Sequence, residues 1–296
     1  MATHSNQPSG EFASPLKEIG KRTLIMGIIN VTPDSFSGDG LGDDVESAVR
    51  RARQMKQEGA DILDIGGQST RPGSQAIDVV EELRRVIPVV ERLASDSEIG
   101  LPLSVDTNRA AVADAAVRAG ATIINDISGL RDDPEIADVA AAHGARLVLM
   151  HIQGTPSTMQ QHPHYEDLLG EVIAYLRQGV DKSIAAGVPQ DRIWVDPGIG
   201  FGKTLQHNLE LIRRLGELKV LGCPILIGTS RKGFIGKLLA PLHNGRAPAP
   251  AERIAGTGAT IALSIVHGAD IVRVHDVAQA ADVARVTDAV VRGYVE

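Results

Sequence analysis

The segment "RAGATIINDIS", residues 118–128, shows the pattern that decides the fold. Its first half ends in Gly-Ala, and a glycine at that place suits the C-terminal cap of a helix that leads into a strand. An apolar, β-branched run follows and ends in the polar pair Asn125 and Asp126. Because the run is continuously apolar rather than alternating, it indicates a strand that is buried on both faces, as in a parallel sheet.

The same unit recurs along the whole chain. Seven further runs of this kind are "TLIMGIIN" (23–30), "DILDIGG" (61–67), "LPLSVDT" (101–107), "RLVLMH" (146–151), "RIWVDPG" (192–198), "PILIGTS" (224–230) and "DIVRVHD" (270–276). Segments with helical periodicity separate them, and Gly-Ala again precedes the strand in "QEGAD", "AHGAR" and "VHGAD". Eight βα units in 296 residues predict a single (β/α)8 TIM barrel, with a doubly wound open sheet as the alternative.

The expected domain organisation is simple. Residues 1–20 have the composition of a disordered leader, and residues 21–296 form the barrel domain. The Pro- and Ala-rich stretch at residues 240–253 is interpreted as a loop between the seventh strand and its helix.

Composition excludes several classes of function. The net charge of -7 offers no basic excess for nucleic acid or an anionic membrane, and no apolar run approaches the roughly 18 residues of a membrane span. The single cysteine, Cys223, lies in an apolar run and is expected to pack in the core, so no intrachain disulfide can form. The N-terminus lacks the apolar centre of a signal peptide, and a cytoplasmic location is expected.

Polar side chains gather where the apolar runs end. They are Asn30, the stretch "GGQSTRPGS" (66–74), Asp106, Asn125 with Asp126, His151 with Gln153, Asp196, "SRK" (230–232), and Arg273 with His275 and Asp276. One such residue would be interpreted as a helix N-cap or a hydrogen-bonded structural group. Because so many strands carry them, they predict an active site at the C-terminal face of the barrel.

The residue types indicate what this site binds. Three residues offer oxygen acceptors and an amide that suit the N–H-rich edge of a planar heterocycle: Asp106, Asn125 and Asp196. Four offer donors and positive charge that suit a phosphate or carboxylate: Arg71, Lys232, Arg273 and His275. No H-x-x-x-H or C-x-x-C motif supports a zinc site, whereas Mg²⁺ fits an oxygen ligand such as Asn30 together with a substrate phosphate.

The stretch "WVDPGIGFGKT", residues 194–204, ends like a nucleotide-binding P-loop. A P-loop needs its first glycine at position 197, which is Pro197, and the nearest glycine is Gly198. The match therefore fails by one place.

Taken together, the motifs resemble those of the dihydropteroate synthases, pterin-binding TIM-barrel enzymes of folate biosynthesis that sulfonamides inhibit. The resemblance extends from Thr23 to the end of the chain. It rests on "MGIINVTPDSFS", "DIGGQSTRPGS", "SVDT", "NDISG", "DPGIGFGKT", "SRKGFIG" and "IVRVHDV", in that order.

The resemblance implies a transferase that condenses 6-hydroxymethyl-7,8-dihydropterin pyrophosphate with p-aminobenzoate, giving 7,8-dihydropteroate and pyrophosphate. The implied pterin-binding residues are Asp106, Asn125, Met150, Asp196 and Lys232. Those implied for pyrophosphate are Asn30, Arg71, Arg273 and His275, with Asn30 also the Mg²⁺ ligand. Those implied for p-aminobenzoate are Phe36, Thr70, Arg71, Pro72, Phe201 and Ser230. The implied catalytic residues are Asp106, Lys232, Arg273 and His275, while loops at about 31–40 and 68–74 close over the site.

Three positions depart from the family pattern. Gln68 stands where a glutamate is common, Asp39 is shifted by one place in "SFSGDG", and Gly233 replaces a serine or arginine. Gly233 begins the helix whose N-terminus, in the family, receives the p-aminobenzoate carboxylate. These changes touch the p-aminobenzoate end of the site and leave the pterin residues whole.

Two other functions compete with this interpretation. A pterin-dependent methyltransferase would share the pocket but has no evident use for "STRPG" and "SRK", and a non-catalytic pterin-binding paralogue would keep the pocket without turnover. Members of the resembled family are commonly dimers, and the Ala-rich segments "GTGATIALSIVHG" and "AQAADVARVTDAVV" could form a homodimer contact.

Overall fold

A computed structural model describes residues 15–31, 41–69 and 77–293 of the chain. Eight parallel strands form one sheet in the order β6-β5-β4-β3-β2-β1-β8-β7. They are β1 (Leu24–Asn30), β2 (Ile62–Gly66), β3 (Leu103–Asp106), β4 (Ile123–Asp126), β5 (Arg146–Met150), β6 (Ile193–Asp196), β7 (Leu226–Ile227) and β8 (Ile271–Val274). An isolated parallel bridge between Val195 and Ile225 joins the two edges. The predicted TIM barrel is therefore confirmed.

Helices alternate with these strands throughout the described residues. They are α1 (Leu41–Gln57), α2 (Val79–Ala94), α3 (Ala110–Arg118), α4 (Ile136–His143), α5 (Leu168–Ala185), α6 (Leu205–Arg213), α7 (Gly233–Leu239), α8 (Ile254–Val266) and α9 (Val277–Arg292). The glycines of the four predicted Gly-Ala signals all have positive φ: Gly59 (101°), Gly120 (119°), Gly144 (64°) and Gly268 (96°). Only glycine adopts this conformation without steric cost, so the pair ends each helix as predicted.

Two apolar cores stabilise the barrel. The larger lies between the sheet and the surrounding helices and includes Cys223, as expected. The smaller fills the barrel with residues from seven strands: Leu24, Met26, Ile62, Ile123, Val148, Trp194, Leu226 and Ile271. Leu16, from the short 3-10 helix Pro15–Glu18, joins this inner core although it falls within the stretch expected to be a leader. The domain boundary at residue 20 stays a prediction.

Strand register brings the predicted polar residues to one level. Asn30 pairs with Gly66, Gly66 with Asp106, and Asp106 with Asn125. Asn30, Asp106 and Asn125 lie an even number of positions from inner-core residues of their own or adjacent strands, so their side chains point into the barrel. The C-terminal ends of the strands thus carry the candidate site.

The connection between β7 and β8 is more structured than expected. The stretch at 240–253 does not join the seventh strand to its helix, as was expected, but connects α7 to α8. It contains two 3-10 turns, Ala240–His243 and Pro250–Arg253, and α8 begins at Ile254. Across the described ranges, no helix has the length and apolarity needed to cross a membrane.

Candidate active site

Arg273 forms the centre of the site by contacting two carboxylates. Its guanidinium lies 2.6 Å from Asp106 on β3 and 2.6 Å from Asp64 on β2. The side-chain amide of Asn125 donates to Asp64 at 3.2 Å. Asp64 is fully buried, whereas the side chains of Arg273 (20% exposed) and Asp106 (9% exposed) reach the surface of the site.

Asp64 is a site residue that inspection of the strand ends missed. It lies in the middle of the apolar run "DILDIGG" rather than at its end, where the polar residues were sought. The sequence could have identified Asp64 on two grounds. A carboxylate inside a buried strand needs a partner, and Asp64 is two positions from the inward-facing Ile62, so it points into the barrel as well.

Burial raises the pKa of both candidate pterin-binding carboxylates. For Asp106, burial and the nearby Asp64 carboxylate outweigh the opposing effect of Arg273. For Asp196, burial raises the pKa to about 6, although its carboxylate accepts a hydrogen bond from the Gly198 amide at 2.7 Å. Two buried carboxylates that are costly to ionise favour a ligand that brings N–H donors or positive charge.

Lys232 faces this acidic cluster from the start of α7. Its ammonium nitrogen lies 4.1 Å from the centre of the Phe201 ring, within the range of a cation–π contact. Burial, followed by repulsion from Arg273, lowers its pKa to about 8. Gly233 begins α7, which agrees with the helix start that the resemblance implied.

The ends of β7 and β8 are held together by two contacts. Ser230 Oγ lies 3.0 Å from His275 Nδ1 and also accepts from the His275 amide at 3.1 Å. Arg231, in the left-handed conformation at φ 57°, pairs with Asp276 through both its Nε and a terminal nitrogen. Burial and the neighbouring Arg273 lower the pKa of His275 to about 3, so its imidazole is neutral at pH 7 before a substrate binds.

Phe201 and Met150 belong to a small apolar cluster of their own. The cluster comprises Ile127, Met150, Ile152, Met159 and Phe201. It lies at the C-terminal ends of β4, β5 and β6 and gives the site one apolar wall beside its charged one.

The Gly-Lys-Thr sequence in the loop after β6 does not present its lysine to a phosphate. Lys203 is 2% exposed, and its amine lies 2.9 Å from both His151 Nδ1 and the Phe201 carbonyl. Gly198 has φ 69°, and a Cβ there would lie 1.9 Å from the carbonyl oxygen of His151. The glycines therefore serve close packing of this loop against the end of β5.

Several predicted residues lie outside the described part of the chain. They are Phe36, Thr70, Arg71 and Pro72, together with the shifted Asp39. Gln68 is described, and its side-chain oxygen accepts from the Ile77 amide at 3.4 Å. A glutamate could accept the same bond, so this contact does not require the amide.

Asn30 ends β1 beside Gly66, where a metal held by the substrate phosphates could reach it. In the described ranges, no three His, Cys, Asp or Glu side chains come together as a metal cage. A single side-chain oxygen such as that of Asn30 fits Mg²⁺, because this ion keeps several waters and takes only one or two protein oxygens besides substrate phosphates.

The sequence model of the family described as "Pterin binding enzyme" matches residues 26–275. The dihydropteroate synthase of Synechocystis is 50% identical, with 97% of this chain and 99% of that protein covered. That of Bacillus subtilis is 48% identical, with 91% and 89% covered. The chain belongs to the pterin-binding enzyme family. Within that family it falls among the dihydropteroate synthases, which are transferases of folate biosynthesis.

Solved structures agree with this assignment. A dihydropteroate synthase from Clostridium difficile, crystallised with pteroic acid, superposes with a TM-score of 0.85 at 44% identity and covers 93% of this chain and 99% of its own. The Yersinia pestis enzyme in a sulfonamide complex gives 0.83 at 40%, covering 91% and 94%. The Xanthomonas albilineans enzyme with 4-aminobenzoic acid gives 0.82 at 46%, covering 91% and 93%. These findings do not favour a methyltransferase or a non-catalytic paralogue.

Proposed function

We propose that this synthase condenses 6-hydroxymethyl-7,8-dihydropterin pyrophosphate with p-aminobenzoate, using the residues assembled around Arg273. The observation that carries the proposal is the contact of Arg273 with both Asp106 and Asp64 at 2.6 Å. A cation suited to a phosphate thus lies directly beside the carboxylate that we assign to the pterin.

The pterin ring is bound by acceptors and donors from the strand ends. Asp106 and Asp196 accept from its N–H groups, and the Asn125 amide and Lys232 supply donors to its carbonyl and ring nitrogens. Met150, buried beside Gly198, packs against the ring plane.

The displacement is dissociative. The bond between the pterin methylene carbon and the pyrophosphate oxygen breaks, and its electron pair leaves on pyrophosphate. The Asp106 carboxylate stabilises the remaining pterin-methylene cation at short range in a low dielectric. The aniline nitrogen then bonds to that carbon and loses its proton to solvent, so no enzyme nucleophile is needed.

The leaving pyrophosphate is bound by Arg273, His275, Arg71 and Asn30. Arg273 supplies fixed positive charge, while His275 donates a hydrogen bond from a neutral ring. Mg²⁺ held at Asn30 would neutralise charge that grows on the phosphate oxygens.

p-Aminobenzoate binds between the Phe201 ring and the start of α7. Phe36, Thr70, Arg71 and Pro72 complete this part of the site from the two loops, and Ser230 lies at its base. Gly233 leaves only backbone N–H groups and the helix dipole for the carboxylate. Sulfonamides, which the Yersinia pestis relative binds, compete for the same position.

Pyrophosphate release tests the proposal. The purified protein is given dihydropterin pyrophosphate and Mg²⁺, with and without p-aminobenzoate. Release that depends on p-aminobenzoate supports the synthase reaction, whereas tight pterin binding without release would support the non-catalytic alternative. Lys232→Ala and Asp106→Ala are expected to abolish turnover with the fold intact, and near-native kcat/KM in either would contradict the assigned roles.

The enzyme forms a homodimer through α8 and α9. These helices expose Leu263 (51%), Val266 (51%), Val286 (66%) and Val290 (81%), an apolar surface that a second copy would cover. Light scattering at micromolar concentration should give the dimer mass. Val290→Asp should reduce it, and Val80→Asp, which changes an exposed valine on α2, a helix that packs on α1 and α3, should not.

The enzyme works in the cytoplasm. A chain with one cysteine suits a reducing compartment, and burial raises the pKa of the Cys223 thiol to about 11, which keeps it unreactive. Cell fractionation with an antibody against the protein tests this location.

A further inference from the structure

Three consecutive carbonyl groups in the loop after β6 each accept a hydrogen bond from a different side chain. Gln160 donates to Gly200 at 2.7 Å, Lys203 to Phe201 at 2.9 Å, and Tyr165 to Gly202 at 2.7 Å. A loop held at three successive carbonyls has a fixed path, and Phe201 is its central residue.

Lys203 is the buried member of this set. Its amine bridges the Phe201 carbonyl and Nδ1 of His151, each at 2.9 Å, and so ties the loop to the residue that follows β5. Burial lowers the pKa of His151 to about 2, so the imidazole is neutral and Nδ1 accepts from the lysine. No carboxylate within the described ranges forms an ion pair with Lys203, although burying an amine without one is costly.

The cost of burying the amine has a purpose if its hydrogen bond positions Phe201 in the candidate site. The Phe201 ring lies 4.1 Å beneath the Lys232 nitrogen and packs with Met150 and Met159. Because the ring is attached to the backbone whose carbonyl Lys203 holds, a shift of that carbonyl moves the ring relative to Lys232.

We propose that Lys203 is a positioning residue for p-aminobenzoate: its bridge from His151 to the Phe201 carbonyl fixes the ring against which this substrate packs. The inference rests on the proposed function for the identity of the substrate.

Of the pterin residues, Asp106 and Asn125 pair in the β3–β4 ladder, away from this loop. Asp196 and Met150 meet the loop at Gly198, three residues before the carbonyl that Lys203 holds, and Lys232 contacts the Phe201 ring. Loss of the Lys203 bridge should therefore weaken pterin binding much less than p-aminobenzoate binding.

The test compares the binding of the two substrates in Lys203→Met. Methionine keeps the length of the side chain but removes both hydrogen bonds. Calorimetry measures the Kd of p-aminobenzoate for protein saturated with 6-hydroxymethylpterin and pyrophosphate, which cannot react with it. We expect this Kd to rise about tenfold, equivalent to about 1.4 kcal/mol. The Kd of 6-hydroxymethylpterin with pyrophosphate should stay within about twofold of the wild type.

Two substitutions of His151, the hydrogen-bond acceptor of Lys203, provide a second test if Lys203→Met does not fold. His151→Leu removes the acceptor for the lysine, while His151→Asn retains an oxygen near the place of Nδ1. p-Aminobenzoate binding should weaken in His151→Leu and recover in His151→Asn.

An unchanged Kd for p-aminobenzoate in Lys203→Met or His151→Leu would overturn the inference. So would an equal weakening of both ligands, since that is the signature of a purely structural role. A wild-type protein that binds both ligands but releases no pyrophosphate would refute the proposed reaction and leave this comparison of affinities intact.

Discussion

Asp64 and Arg273 are 209 residues apart in the chain and 2.6 Å apart in the barrel. Since Asp106 contacts the same guanidinium, two buried carboxylates share one fixed positive charge. Lys232 and Asp196 lie close enough to influence the same cluster, so acidic and basic groups stand side by side at the strand ends. That arrangement suits a substrate with an electron-poor heterocycle at one end and phosphates at the other.

Asp64→Asn should reduce turnover without unfolding the protein. A neutral amide cannot balance the positive charge of Arg273. Arg273 then pairs with Asp106 alone and draws that carboxylate away from the pterin. We expect kcat/KM for dihydropterin pyrophosphate to fall by about 10- to 100-fold, or about 1.4 to 2.8 kcal/mol of transition-state stabilisation.

Asp61→Asn is the matched control for this change. Asp61 is also buried on the approach to β2 and pairs with Arg22 at 2.6 Å, but at the opposite end of the barrel. It should lower the melting temperature and leave kcat/KM unchanged. Equal kinetic effects of the two substitutions would show that Asp64 acts only through stability.

Asp196→Asn should make the protein more stable at alkaline pH. The pKa of Asp196 is about 6 in the folded protein and 3.8 ordinarily, so the folded state binds more protons and stability falls as pH rises between these values. Replacing the carboxylate should recover up to about 3 kcal/mol at pH 8 but only about 0.5 kcal/mol at pH 4. The fluorescence of Trp194, the single tryptophan and fully buried, reports the urea unfolding that measures this. A gain that is the same at both pH values would show that ionisation of Asp196 is not its cause.

The pH profile of kcat/KM for dihydropterin pyrophosphate should be bell-shaped. This parameter reports groups in the free enzyme, where the pKa of Asp106 is about 7, that of Asp196 about 6 and that of Lys232 about 8. Activity should fall below pH 7 as first Asp106 and then Asp196 is protonated, and above pH 8 as the ammonium loses its charge. Initial rates at low substrate concentration between pH 5 and 10 test both limbs, and a rate that stays level to pH 10 would exclude a charged Lys232 from the reaction.

Gly198→Ala and Gly233→Ala should have opposite effects on stability. At Gly198 the left-handed conformation and the 1.9 Å approach of the His151 carbonyl both reject a side chain, and we expect a loss of at least about 2 kcal/mol. At Gly233 nothing lies within 4 Å of a new Cβ, so alanine should stabilise α7 by up to about 1 kcal/mol. Urea midpoints of the two variants provide the comparison. A lower midpoint for Gly233→Ala than for the wild type would contradict the predicted stabilisation of α7.

Local pattern predicted the barrel because each βα unit carries its own signal: a glycine stop, an apolar run and a polar end. The site followed because parallel strands bring those polar ends together. Asp64 was missed because a search at strand ends ignores the inward parity of positions within the strand. The partners of Lys203 could not be predicted, since a hydrogen bond from the loop after β6 to His151 depends on the close approach that Gly198 permits. "PILIGTS" predicts a longer strand than β7, which has only two residues. Strand length also depends on how far the neighbouring strands run alongside, and a local sequence pattern does not contain that information.

The bridge between Val195 and Ile225 is the whole of the ladder between β6 and β7, both of which are fully described. A single parallel bridge therefore closes the barrel between β6 and β7. The candidate site residues Asp196 and Lys232 lie on either side of this closure. In the function proposed above, a pterin would contact both residues and so link the two strands a second time. Binding would then add to the free energy that closes the barrel, and bound pterin should stabilise the folded protein.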